Sequence, residues 1–144
     1  MLALGLSQEA RGGKIKGNAL LALIFFQKAI ACYDKAYELD PDDLFTLSSK
    51  GAVLEALGGL EEAFACYERV LEIDPLYARG WIDKGDALRS RGRADEALAC
   101  YDKALAINLR DAQAWRSKGM ALLDLRRWEE WAACWAKEEA LGGI

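Results

Sequence analysis

The chain has 144 residues, 53 % of them hydrophobic, and a formal net charge of −4 with acids and bases interspersed. That supplies one compact core and argues against nonspecific nucleic-acid binding, which needs a basic patch to displace counterions. The absence of histidine removes the commonest general base and metal ligand, and no apolar run approaches the ~20 residues that span a bilayer.

A single spacing organises the chain. Cys32, Cys66, Cys100 and Cys134 are each 34 residues apart, and so are four Lys-Gly pairs from Lys16-Gly17 to Lys118-Gly119. Gly85, Leu88, Ala97 and Tyr101 fall in step with Gly51, Leu54, Ala63 and Tyr67 one period earlier. A fixed period of this size marks a stacked repeat. The boundaries read as a lead over 1–9, then repeats over 10–43, 44–77, 78–111 and 112–144. Cysteines one repeat apart lie too far from each other for a disulfide, which needs Cα atoms within ~7 Å, so they read as small apolar helix residues.

The lead, MLALGLSQEA with the start of repeat one, lacks the basic segment and long apolar run of a secretory signal, so a cytoplasmic location is expected. Repeat one breaks the pattern at its turn. Ile24 stands where the next two repeats have Gly58 and Gly92, and Gln27-Lys28 replaces the acidic pairs Glu61-Glu62 and Asp95-Glu96. A β-branched residue fits a left-handed closing position poorly. The result is an unbroken apolar run, ALLALIFF, over 19–26. Two readings stand: an ordinary turn made of unusual residues, or one continuous helix over 14–39. The second would expose apolar faces around Leu23, Ile24, Phe25 and Phe26, for a second copy to cover by exchange or by side-by-side packing.

Repeats two and three each read as two helices joined by a tight turn, at Gly58-Gly59 and at Arg91-Gly92-Arg93. In the third the helices are expected near 79–90 and 94–107. Gly85 and Ala97 are small where the two helices approach, and Tyr101 and Ala104 are expected to face the next repeat. Asp43 and Asp111 are capping candidates. Asp40-Pro41 and Asp74-Pro75 stop the second helices of repeats one and two, with Leu109 as a softer stop in repeat three.

In repeat four, Trp131 replaces the small alanine and Ala132 the large neighbour, so large and small have exchanged places. Glu138, at a position that elsewhere faces a following repeat, is expected to meet water as part of a terminal cap. Trp128, Trp131 and Trp135 recur at helical spacing and are read as closing the core, or alternatively as an aromatic contact surface.

The Gly, Leu, Ala, Tyr, Ala and Pro columns resemble the tetratricopeptide repeat, a helix–turn–helix unit of 34 residues. The resemblance covers about residues 10–141. It implies an all-α, right-handed superhelix of about four stacked antiparallel helix pairs, whose first helices line a concave groove that binds a peptide segment or partner domain. Carried over by column, it implies a groove lined by Arg11, Lys14, Asn18 and Leu21, then Phe45, Ser48, Ser49, Ala52 and Glu55. Arg79, Ile82, Asp83, Asp86 and Arg89 continue it, followed by Arg116, Ser117, Met120 and Asp124. One subfamily, the chaperone-binding adaptors, clamps the terminal carboxylates of a peptide. Lys14, Asn18 and Arg79 match its motif, Ser49 replaces an asparagine, and Asp83 puts an acid where the motif has a base, which repels a carboxylate.

No G-x-S-x-G, P-loop or C-x-x-C is present, and no cofactor or metal is expected. The reading is a noncatalytic protein-interaction module without a nucleic-acid or membrane partner. The alternatives are a docking part of a larger enzyme or sensor, and a self-assembling scaffold joined through 19–26 or the terminal tryptophans.

Overall fold

The computed structural model describes residues 8–142, and side chains from Ala19 onward. All described secondary structure is helical. α1 is Gln8–Leu39, α2 Leu44–Ala56, α3 Leu60–Ile73, α4 Ala78–Ser90, α5 Ala94–Ile107, α6 Ala112–Asp124 and α7 Trp128–Gly142.

Three hairpins, α2/α3, α4/α5 and α6/α7, stack through α3 on α4 and α5 on α6, and α1 packs on α2. The first helices α2, α4 and α6 touch one another in order, whereas α3, α5 and α7 do not. Helices in mutual contact form the inside of a curved stack, so α2, α4 and α6 make its concave layer.

The caps follow from local chemistry. Asp43 accepts a hydrogen bond from the Phe45 amide, and Asp111 from the Gln113 and Ala114 amides. Ahead of each first helix an Asx turn closes the connection: the side-chain oxygens of Asp40, Asp74 and Asn108 accept from the amides of Asp42, Leu76 and Arg110. Leu109 therefore follows the same turn without proline. The hairpin turns share one bond, from Gly59 N to Leu54 O, Arg93 N to Leu88 O and Arg127 N to Leu122 O, at 2.8–3.0 Å. In each, one residue is left-handed: Gly58 at φ 86°, Gly92 at φ 76° and Arg126 at φ 59°.

Ile24 occupies the same column, and there the chain does not turn. Of the two readings of residues 19–26, the continuous helix is the one the structure has, and the hairpin expected over 10–43 is not closed. Thirty-two residues of helix run ~48 Å. Ile24 resists the left-handed conformation, and the run offers no glycine, proline or capping side chain to interrupt it. The C-terminal half of α1 still behaves as a second helix. Lys50 of α2 pairs with Asp34 at 2.7 Å, as Lys118 of α6 pairs with Asp102 of α5 at 2.8 Å.

The core is built on tyrosine rings laid over glycines. Tyr67 and Tyr101 are buried, and a Cβ on Gly51 or Gly85 would stand 2.5 or 2.6 Å from their ring carbons. The tyrosines thus lie over the first helix of their own repeat, and they share core clusters with Ala87 and with Ala114 and Ala121 of the repeats that follow. The close approach comes from the ring crossing the glycine, with Ala63 and Ala97 fully buried in the same clusters.

Repeat four is built differently. Trp131, half-buried, takes over the contact with the glycine of its repeat, its ring 3.4 Å from a Cβ placed on Gly119. Trp128 and Trp135 are 57 % and 50 % exposed, so they do not close the core as expected; Cys134 is the residue of α7 that is buried. No further helix lies over them among the described residues. Glu138 does not simply meet water: it accepts a 2.6 Å bond from Arg116 across the hairpin.

Candidate functional site: the concave face

The three inner helices give this face its chemistry. On α2, Phe45 is 71 % exposed, Ala52 is exposed, and Ser49 and Glu55 are half-buried. On α4, Arg79 is exposed, while Asp83, Asp86 and Arg89 are half-buried. On α6, Arg116, Met120 and Asp124 are exposed. Ser48, Ile82 and Ser117 are buried between helices, with Ile82 part of the core, and Ser48 and Ile82 offer a ligand almost no surface. Arg11, Lys14 and Asn18 lie outside the described side chains.

Carboxylates cluster at the centre. Glu55 accepts from the Tyr67 hydroxyl at 3.0 Å and Asp86 from the Tyr101 hydroxyl at 2.6 Å. Asp83 accepts from Arg79 Nε at 3.1 Å. Burial is the main cause that raises all three acids: it pushes Asp83 up to about 6 against the pull of Arg79, and it outweighs the tyrosine hydrogen bonds at Glu55 and Asp86. Charge repulsion adds to this: Asp86 and Glu55 raise Asp83, and Asp86 raises Glu55 across α2 and α4. Farther along, Arg89 pairs with Asp124 at 2.8 Å and Arg116 with Glu138. Each described arginine of this face therefore already holds a carboxylate of its own chain.

The tyrosine–acid bonds escaped the sequence reading because they keep no register. Glu55 and Asp86 sit in different columns, so the two hydroxyls find acids one turn apart on successive helices. The Asx column Asp40, Asp74 and Asn108, by contrast, was open to view at the 34-residue spacing.

The opposite face offers a shallow hollow of about 420 Å³ over Phe64, Trp81 and Leu88. The Lys103 and Lys84 ammonium groups already sit 4.7 and 5.6 Å from the Trp81 ring, cation–π contacts internal to the chain. Among the described residues no group of three potential ligands converges to hold a metal ion, and no helix is long and apolar enough to cross a membrane.

Stacked antiparallel helix pairs with a continuous inner face define the class: a helical-repeat solenoid. Family models described as tetratricopeptide repeat match residues 16–78 and 66–99, and one described as TPR repeat matches 85–125, so the matches together run from 16 to 125. The chain belongs to the tetratricopeptide-repeat family. No curated protein matched it in a sequence search. Among solved structures it is similar to MamA 41-end from Desulfovibrio magneticus RS-1, with 23 % identity, a TM-score of 0.72, and 88 % of this chain and 71 % of that one covered. A crystal structure of MamA superposes at a TM-score of 0.70 with 21 % identity, covering 81 % and 68 % of the two chains. The first TPR of Spaghetti (RPAP3), bound to the HSP90 peptide SRMEEVD, gives 0.66 with 22 % identity, covering 71 % and 81 %. At these identities the likeness is one of fold.

Proposed function

We propose that the chain is a noncatalytic protein-interaction module, that residues 44–77, 78–111 and 112–144 are the repeats that build its working face, and that this face holds a partner's peptide segment through a basic side chain. The observation that carries the reading is the cluster of Glu55, Asp83 and Asp86 at the middle of the inner layer. Three acids whose charges are partly desolvated and mutually repulsive gain from a lysine or arginine placed among them. The flanking Phe45 and Met120, both well exposed, supply apolar contact on either side.

The same geometry disfavours an acidic chain terminus. The base carried over from the carboxylate-clamp motif, Arg79, is already paired with Asp83, and a peptide carboxylate arriving there would meet the acid cluster. The Spaghetti (RPAP3) repeat with its HSP90 peptide SRMEEVD supports peptide recognition as a use of this fold.

Fluorescence anisotropy with two labelled ten-residue peptides tests the proposal, one with a central Lys-Arg pair and one ending in two aspartates. The basic peptide is expected to bind, and the double variant Glu55→Gln/Asp86→Asn to weaken it by roughly tenfold, the scale of one lost charge-assisted contact. Binding of the acidic peptide alone would overturn the reading.

A further inference from the structure

We propose that α1 pairs antiparallel with α1 of a second copy of this chain, so that residues 10–23 of each copy supply the missing first helix against residues 27–39 of the other. The inference is independent of what the concave face binds. It rests on what the open first repeat leaves unfilled.

The first observation is register. Gly51 and Tyr67, and Gly85 and Tyr101, are partners 16 residues apart, and each ring covers its glycine. Gly17 and Tyr33 have the same spacing. On a single helix those two positions are ~24 Å apart along the axis and cannot meet. Tyr33 is accordingly only half-buried where Tyr67 and Tyr101 are fully covered.

The second observation is the cysteine column. Cys66, Cys100 and Cys134 feel the charges of Lys50, Lys84 and Lys118, the lysines beside the glycines of their own first helices. Cys100 and Cys134 are buried and Cys66 half-buried, but Cys32 is exposed because no first helix lies over it.

The third is the midpoint. Each closed hairpin folds about the centre of its Gly–Tyr pair, at Gly59 and at Arg93, inside the turns. The corresponding centre for Gly17 and Tyr33 is Phe25. Two α1 helices laid antiparallel in the hairpin register would have their twofold axis at Phe25, which is 68 % exposed and flanked by Leu21, Leu23 and Ile24 at 39–54 %. A second copy laid this way brings its residues 10–23 alongside Tyr33 and Cys32 and sets Phe25 against Phe25. Because α1 has no turn to reset its phase, and 16 residues of continuous helix rotate by ~160°, the ring-over-glycine contact of the closed hairpins is replaced by side-by-side packing of the apolar run.

Sedimentation analysis of the 15.9 kDa chain is expected to give twice that mass. Phe25→Asp and Phe25→Lys, each placing like charges across the axis, should each weaken dimerisation by roughly tenfold or more, and an equal mixture should dimerise more tightly than either alone. Iodoacetamide labelling read by mass spectrometry gives a second measure that needs no variant. Cys32 should react slowly in the wild-type protein at high concentration and faster on dilution. A wild-type monomer, a dimer indifferent to both charges, or a Cys32 that labels rapidly at high concentration would each overturn the proposal.

Discussion

The ring of Tyr101 lies where a side chain on Gly85 would have to be, 2.6 Å from the ideal Cβ position. The ring is held from both ends, buried in the core and donating its hydroxyl to Asp86. Gly85→Ala must therefore displace a large fixed group, costing about 1–3 kcal/mol, which exceeds the ~1 kcal/mol that alanine gains in helix propensity. At Gly119 the nearest atom, on Trp131, stands 3.4 Å away in ordinary contact. Gly119→Ala is expected to be neutral or stabilising. Urea unfolding of the two variants checks the opposite signs.

Arg126 closes the third turn in a left-handed conformation without being glycine. That conformation costs a residue with a Cβ about 1 kcal/mol, and Gly58 and Gly92 avoid the cost in the same column. Arg126→Gly should raise stability by about 1 kcal/mol, seen as a higher denaturant midpoint at unchanged slope.

The acid cluster makes stability depend on pH in an unusual direction. Asp83 binds its proton at about 6 when folded and near 3.8 otherwise, and Glu55 and Asp86 are raised as well. The folded state therefore holds more protons between those values, and stability rises as pH falls from about 7 toward 4. Asp83 alone contributes on the order of 2 kcal/mol to that rise. Denaturation midpoints at pH 7 and pH 5 should show it, and Asp83→Asn should flatten the slope.

The tryptophans of α7 should differ sharply. Trp128 is 57 % exposed and its removal should change stability by less than about 0.5–1 kcal/mol, whereas Trp131→Ala opens the packing at Gly119 and costs on the order of 2 kcal/mol. Thermal melts of the two alanine variants rank them.

Much of this was legible in one strand of letters. The 34-residue recurrence of Lys-Gly, Tyr and Cys carries the pairing of helices, and Asp43, Asp111, Gly58 and Gly92 mark caps and turns through their own backbone preferences. Such features are local: a capping oxygen or a left-handed glycine acts on amides a few residues away, so sequence alone determined them. What the side chains meet across the stack is not local. The acid that the Tyr101 hydroxyl reaches, the burial of Ile82, the ion pair between Arg116 and Glu138 and the exposure of Trp135 depend on which surfaces arrive opposite. Residues 19–26 are the sharpest case. Their letters permit a turn or a continuous helix, and the choice belongs to tertiary structure because the free energy of folding back depends on the faces available to cover those apolar side chains.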